Sequence, residues 1–258
     1  MNHKLSERLV LLNYFEKASD QETWMVKMNP ICKVILTILF LVILMSFPKY
    51  EILGTAGMIL YPSVLFAMEH TSIKKIVKTL GPIWLIFILF GLVNVVIDKE
   101  MISVPIIGRM PGGVASCITL VLKGILASAA SFILVSTTKV EDICFSLQVM
   151  KVPKIICIQM MLMFRYLSVI LKEAESMNEA YHLRAPGQKG IDRRAWGSFL
   201  GKLLIRSIDK AELIYESMML RGFRGEFRLE KNKKIKKKEL AYLLLWTGIL
   251  FLWRCCIL

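Results

Sequence analysis

The sequence predicts an all-α membrane protein with about five transmembrane helices and a pair of long, crossed amphipathic helices in the cytoplasm. The first observation behind this is composition: 55% of the 258 residues are hydrophobic and the mean hydropathy is +0.56. An ordinary soluble domain is less apolar. The second observation is a series of apolar segments of membrane length, and the third is a strongly basic block before the last of them.

The apolar segments are Ile31–Phe47, Ile52–Met68, Leu80–Ile97, Gly113–Ser136 and Leu240–Leu258. A bilayer core requires about 20 residues, with a range of about 17–25. The first two segments are at the short end of that range. Pro62 interrupts the second, which we expect to kink or tilt. Trp246 and Trp253 in the last segment are expected to be interfacial anchors.

Two positions in the apolar part of the chain carry unusual residues. Lys123 lies within the fourth segment, where it either faces the bundle interior, snorkels to the surface, or indicates different segment boundaries. Gly112-Gly113 follows Pro111, and this combination predicts an extracellular turn rather than a phosphate-binding loop.

The distribution of Lys and Arg predicts the orientation. Cationic residues are dense before the first segment and in the loop between the second and third (Lys4, Arg8, Lys17, Lys27, Lys33; Lys74, Lys75, Lys78) and sparse in the intervening loops. Residues 137–238 contain 21 Lys/Arg against 11 Asp/Glu. The excess predicts that the N-terminus and residues 137–238 are cytoplasmic. The predicted domains are therefore a membrane domain, 1–136, a cytoplasmic domain, 137–238, and a C-terminal transmembrane helix, 239–258.

Two long helices are predicted in the cytoplasmic domain. The first runs from Lys154 to about Leu183, with Pro153 before it and Pro186-Gly187 after it. The second runs from about Trp196 to Leu220, and Gly222 follows where a left-handed residue commonly ends a helix. An apolar stripe on the second helix is expected to pack on the first (Trp196, Leu200, Leu203, Leu204, Ser207, Ala211, Ile214, Met218).

Both long helices end in the same pattern, Glu-x-x-x-Leu-Arg-small. The copies are Glu179–Ala185 and, 37 residues later, Glu216–Gly222. A cation in the last turn of a helix complements the helix dipole. For a single copy of the pattern, this capping role explains the arginine as well as a docking role does. Two copies favour docking, because exposed arginines offer a fork of donors to carboxylates. The candidate site residues are Leu183, Arg184 and Ala185 in the first copy and Leu220, Arg221 and Gly222 in the second.

Several kinds of chemistry have no support in the sequence. There is no G-x-x-x-x-G-K-[ST] phosphate loop and no H-E-x-x-H motif. The six cysteines form no C-x-x-C pair and lie mostly in apolar segments, so we interpret them as small buried hydrophobic residues. We therefore expect a non-catalytic chain without a metal or cofactor site of its own.

In five motifs of its sequence, the chain resembles the transmembrane T component of energy-coupling-factor (ECF) transporters, in the cobalt/nickel-type, CbiQ-like branch. The resemblance covers most of the chain. It lies in five motifs: Met28–Val34, Val152–Lys154, Phe164–Tyr166, Ile208–Glu212 and, the most specific, Met219–Phe223.

The resemblance implies a multi-pass location in the plasma membrane of a bacterial or archaeal cell, a mechanism and partners. In the family, two crossed coupling helices each end in an Ala-Arg-Gly-like motif that enters a groove on an ABC-type ATPase. Leu183–Ala185 and Leu220–Gly222 match it, although both differ at the first position and the first lacks glycine. Two ATPase subunits would bind ATP, and a separate membrane S component would bind cobalt or nickel, so this chain would hold no cofactor.

Alternative functions remain open at this point. The chain could serve vitamin-type S components, or act as a stand-alone permease, which would need polar groups converging at mid-membrane. The basic run from Arg228 to Lys238 could belong to a membrane-tethered nucleic-acid binder. We favour contact of this run with the anionic inner leaflet and expect no nucleic-acid partner.

Overall fold

The structure, a computed structural model, describes residues 28–69, 73–98, 101–104, 108–188, 190–225 and 237–257. These residues divide into two compact units. The core unit contains residues 28–139 and 237–257, and the tip unit contains residues 140–225. The cationic residues before Met28 lie outside the described residues. The basic residues from Arg228 to Lys236 also lie outside them. The predicted domain limits stay predictions.

The all-α prediction is confirmed, with one short β-hairpin as an addition. The core unit consists of α1 (Pro30–Ser46), α2 (Ile52–Gly57), α3 (Leu60–Glu69), α4 (Ile73–Ile97), β1 (Met101–Val104), β2 (Gly108–Pro111), α5 (Gly112–Thr137) and, after the tip unit in the chain, α9 (Lys237–Ile257). The tip unit consists of α6 (Val140–Val149), α7 (Lys154–Arg184) and α8 (Trp196–Leu220). The strands pair antiparallel, with Ser103 opposite Arg109.

Four helical stretches of the described chain are long and apolar enough to cross a membrane. They are Thr79–Ile97, Gly112–Thr137, Lys154–Arg184 and Lys237–Cys256, whereas Pro30–Ser46 and Ile52–Met68 are apolar but shorter. The second segment is not one kinked helix: it breaks between α2 and α3, and Pro62 lies in the first turn of α3, where a missing N–H costs little. Helix α7, Lys154–Arg184, is one of these four, so its predicted placement in the cytoplasm stays a prediction.

The hydrophobic core of the core unit lies between α1, α3, α5 and α9. The ring of Phe40 stacks on Tyr61 with centroids 4.6 Å apart, and Trp246 meets Tyr61 edge-on at 5.1 Å. Trp246 is only 5% exposed, so its predicted role as an interfacial anchor is wrong. Trp253 is partly exposed, and its indole N–H donates to the Gly54 carbonyl at 3.1 Å.

Gly112 and Gly113 open α5 and do not form the predicted extracellular turn. The backbone N–H of Gly113 donates to the carbonyl of Asp98 at 2.9 Å, just after the end of α4. A Cβ at position 113 would lie 2.6 Å from that same oxygen. Glycine is therefore required by the close approach of two backbones.

Two lysines cap the ends of α1 and α5 reciprocally. Lys33, in the first turn of α1, donates to the carbonyl of Thr137 at the end of α5 at 3.0 Å. Lys123, near the middle of α5, donates to the carbonyl of Phe47 just after the end of α1. The last carbonyls of a helix have no partner within the helix, and in an apolar unit they need a donor from elsewhere. Lys123 is thus half-buried and faces the bundle.

The motif Met28-Asn29-Pro30 fixes the start of α1. The side chain of Asn29 accepts a hydrogen bond from the N–H of Ile31 at 3.0 Å, and Pro30 occupies the first helical position. The backbone N–H of Asn29 donates to the carboxylate of Glu239 on α9 at 3.2 Å. The beginning of α1 is therefore joined to both α5 and α9.

We expect Lys33→Met to destabilise the protein, because the variant leaves the Thr137 carbonyl buried without its donor. A buried acceptor without a partner costs about 1–3 kcal/mol. The thermal midpoint of the detergent-solubilised protein, followed by tryptophan fluorescence, should fall by several degrees. Lys202→Met, at an exposed position of α8, is the control and should leave the midpoint unchanged. Equal midpoints for the two variants would contradict the capping role.

Candidate functional site

The first tip, Leu183–Ala185, ends α7. The N–H of Ala185 donates to the carbonyl of Tyr181 at 3.0 Å and closes the last turn. Ala185 has φ −126° and ψ 67°, so the chain leaves the helix through a conformation that is neither helical nor extended, and Gly187 then adopts φ +92°. The side chain of Leu183 is 85% exposed, and Arg184 is exposed beside it.

Tyr181 braces the loop that follows the first tip. Its hydroxyl donates to Oε1 of Gln188 at 2.9 Å and accepts from the N–H of Asp192 at 3.3 Å. The carbonyl of Asp192 in turn accepts from the N–H groups of Ala195 and Trp196, where α8 begins. One side chain on the last turn of α7 therefore fixes the path of the chain from the first tip to the next helix.

The second tip, Leu220–Gly222, ends α8 in a Schellman motif. The N–H of Phe223 donates to the carbonyl of Met218 at 3.0 Å, and that of Gly222 donates to Met219 at 2.9 Å. Gly222 has φ +80°, as its position in the sequence predicted. Leu220 is 90% exposed, and Arg221 is also exposed.

The two tips present the same pair of side chains to solvent. In each, an arginine lies next to a leucine that loses almost none of its surface to the fold. A single exposed leucine needs no explanation. A leucine and an arginine exposed together at the ends of both long helices form a repeated surface that can combine apolar contact with a charge-assisted hydrogen bond.

The α7–α8 contact is centred on one ion-pair network. Glu173 of α7 pairs with both Arg206 and Lys210 of α8. Part of the predicted stripe, Leu203, Ser207, Ile214 and Met218, is half-buried on the same side of α8 as Lys210, whereas Trp196, Leu200, Leu204 and Ala211 are exposed. The predicted packing of the whole stripe is therefore wrong, and none of the residues of α8 is buried.

The exposed part of that stripe belongs to a wider apolar face of α8. At 100° per residue, five large side chains of α8 fall on one side of the helix, adjacent to the half-buried positions. The α8 apolar face consists of Leu200, Leu204, Ile208, Tyr215 and Met219, each at least half exposed. The tip unit thus offers two exposed tips and an unpartnered apolar face.

A small cluster joins α6 to α7. Cys144, Cys157 and Met161 are buried together, with Leu147 and Val152 packed against them. Burial raises the pKa of the Cys144 thiol, which stays protonated at neutral pH. Cys32, Cys144 and Cys157 are buried hydrophobic residues as predicted, whereas Cys255 and Cys256 are exposed on the last turn of α9.

A search of the described residues for metal ligands gives no candidate site. No group of three or more His, Cys, Asp or Glu side chains in that part of the chain could hold a metal ion. His182, the only titratable imidazole near the first tip in sequence, contacts the ring of Tyr181 with centroids 6.0 Å apart.

Comparison with known proteins identifies the family. The model of the family described as "CbiQ: Cobalt transport protein" matches residues 21–233, which is most of the chain. The chain belongs to the CbiQ family. The match spans the first four apolar segments, both tips and the helices that carry them, so the resemblance inferred from the motifs is confirmed. CbiQ is a family of transport membrane components rather than enzymes, and its members function in transporter complexes.

Two curated relatives of this CbiQ-family chain are proteins of Methanocaldococcus jannaschii. The "Uncharacterized protein MJ1089" is 26% identical over 149 residues, which are 57% of this chain and 49% of the relative. The "Uncharacterized protein MJ1571" is 24% identical over 135 residues, 51% of this chain and 46% of the relative. The chain spans about half the length of the curated relatives it matches.

We expect Gly222→Ala to destabilise the second tip, because a side chain at φ +80° is strained whatever space surrounds it. The cost should be about 1 kcal/mol or more. Gly201→Ala, in the interior of α8 with open space around it, should instead stabilise the helix by about 0.5–1 kcal/mol. Thermal midpoints measured on both variants should move in opposite directions. A fall for both would show that the position of the glycine does not matter.

We expect Glu173→Gln to loosen α8, because the variant removes the partner of both Arg206 and Lys210. Ion pairs at partly exposed positions stabilise only weakly, and the variant removes two of them, so hydrogen–deuterium exchange of the α8 amides should accelerate several-fold while the core unit is unaffected. High salt should reproduce part of this effect in the wild type. Glu212→Gln, at an exposed position of α8, is the matched control. Identical exchange in the two variants would argue against the network.

Proposed function

We propose that this chain is the transmembrane coupling (T) component of an ECF-type ABC importer for cobalt or nickel. Membership of the CbiQ family supports the transport role. The observation that carries the coupling role is the repeated exposure of leucine and arginine at the ends of both α7 and α8. Each tip would dock into a groove on one of two ABC-type ATPase subunits.

The chemistry of the tips suits such grooves. An arginine that pairs with a carboxylate gains a charge-assisted contact of about 1.5–3 kcal/mol. The adjacent leucine adds apolar burial, about 1.5–3 kcal/mol for a side chain that moves from full exposure to full burial. The main-chain geometry supports force transmission, since the Tyr181 brace and the Schellman motif hold each tip at a defined helix end.

The α8 apolar face supports contact with a separate S component. Its five large side chains are exposed in the isolated chain, and burial against a membrane partner would remove them from water. When two ATPase subunits close on ATP, displacement of the tips would tilt α7 and α8 and so reorient the S component. ATP would be bound by the ATPases and the metal ion by the S component.

The proposed orientation follows from charge. The N-terminus and the tip unit would be cytoplasmic, because Lys and Arg concentrate in those parts of the sequence. The basic run from Arg228 to Lys238 would face the anionic inner leaflet, at about 1 kcal/mol per cation near the surface. This orientation brings both tips to the side where ATP is available.

The docking hypothesis predicts the behaviour of charge-reversal variants. Arg184→Glu combined with Arg221→Glu should abolish co-purification of the ATPase subunits, and each single variant should weaken it. Membrane insertion and the thermal midpoint should be unchanged, because both arginines are exposed. The matched control is Arg194→Glu with Lys202→Glu, also exposed positions of the tip unit. Normal co-purification with the double tip variant would refute docking.

A further inference from the structure

A cavity of about 570 Å³ lies beyond the end of α1, between α1, α4 and α5. We call it the α4–α5 cavity. Its volume falls in the range of about 300–1,000 Å³ that is typical of ligand sites. Six polar side chains line it: Lys49, Asn94, Asp98, Ser116, Thr119 and Lys123. Neither the hydrophobic core nor the proposed docking of the tips uses this space.

The cavity wall carries charges of both signs. The ammonium of Lys49 lies 3.1 Å from Oδ2 of Asp98, and the hydroxyl of Tyr50 donates to the same oxygen at 2.7 Å. Lys123 uses one of its three hydrogens on the carbonyl of Phe47. A cationic group of a ligand would therefore share the Asp98 carboxylate with Lys49 or displace Lys49 from it, while an anionic group would meet Lys123.

A neutral donor adds to the cationic side of the cavity. The side-chain amide of Asn94 donates to the hydroxyl of Ser116 at 3.4 Å. Because Ser116 accepts in that contact, its own proton can be donated to a ligand. Ser116 and Lys123 thus provide two donors of the kind that bind a phosphate oxygen.

The surroundings of the cavity require an apolar part in the ligand. Met45, Phe87, Ile97 and Leu120 complete the lining. Next to it the last turns of α4 expose Val93, Val96 and Ile97 by 52–75%, on a helix that is apolar and long enough to cross a membrane. A free inorganic anion would leave these surfaces unused, whereas acyl chains would cover them.

We propose that the α4–α5 cavity binds the head group of a zwitterionic phospholipid with a primary ammonium, the phosphatidylethanolamine class. The phosphate lies toward Lys123 and Ser116, the ammonium toward Asp98, and the acyl chains along α4. A trimethylammonium head group has no N–H to donate to Asp98, and a glycerol head group has no cation. The site therefore distinguishes three lipids with identical chains.

Native mass spectrometry of the delipidated chain tests this proposal. The probes are the palmitoyl-oleoyl forms of phosphatidylethanolamine, phosphatidylcholine and phosphatidylglycerol, with inorganic phosphate as a competitor. The ethanolamine lipid should bind roughly tenfold more tightly than the other two, as one charge-assisted hydrogen bond implies. Equal binding of the three lipids, or displacement by inorganic phosphate, would overturn the proposal.

Two variants locate the site. Asp98→Asn should abolish the preference for the ethanolamine lipid, and the control Asp209→Asn, at an exposed position of α8, should retain it. Ser116→Leu fills the cavity without altering Lys49 or Asp98, and it should weaken binding of the ethanolamine lipid about tenfold. If Asp98→Asn keeps the preference, or Ser116→Leu binds as the wild type does, the lipid binds elsewhere and the assignment fails.

Discussion

The core unit depends on hydrogen-bond donors for helix-end carbonyls that lie among apolar residues. α1 has 17 residues and α5 has 26, so α1 ends alongside the middle of its antiparallel neighbour. A carbonyl at that level needs a donor from another helix, and Lys123 provides it. Lys33 does the same for the end of α5. The length difference also leaves space beyond α1, and that space is the α4–α5 cavity. The difference in length between α1 and α5 therefore accounts for both an intramembrane lysine and a polar cavity.

The tip unit is built on the opposite principle. α8 buries none of its residues, and its contact with α7 centres on Glu173 and two cations. Exposed ion pairs contribute little to stability, whereas the apolar surface left uncovered on α8 is large. The uncovered face of α8 is the physical basis for the proposed partner contact, because burial against another chain would remove it from water. The core unit, by contrast, packs its apolar residues against one another.

Local signals allowed the sequence to predict the long helices closely, and long-range contacts limited it elsewhere. Pro153 and Gly222 mark helix ends through their own backbone preferences, so the limits of α7 and α8 agree with prediction to within a residue. The burial of Trp246 and the approach of Asp98 to Gly113 depend on neighbours that are distant in the chain. The sequence therefore predicted an interfacial anchor at Trp246 and a turn at Gly113, and both predictions were wrong. Tyr181 and Glu173 were missed for the same reason, since their partners lie on later elements.

The two tips end their helices through different backbone conformations. Each helix must stop abruptly while its last leucine and arginine remain exposed. The second tip stops at the left-handed Gly222, and the first stops without glycine, at Ala185 with φ −126° and ψ 67° and a loop held by Tyr181. Since the backbone devices differ and the exposed Leu-Arg pair does not, the pair is the feature that the two tips share. The first tip exposes this pair without a glycine at its helix end, because the Tyr181 brace holds the loop that follows.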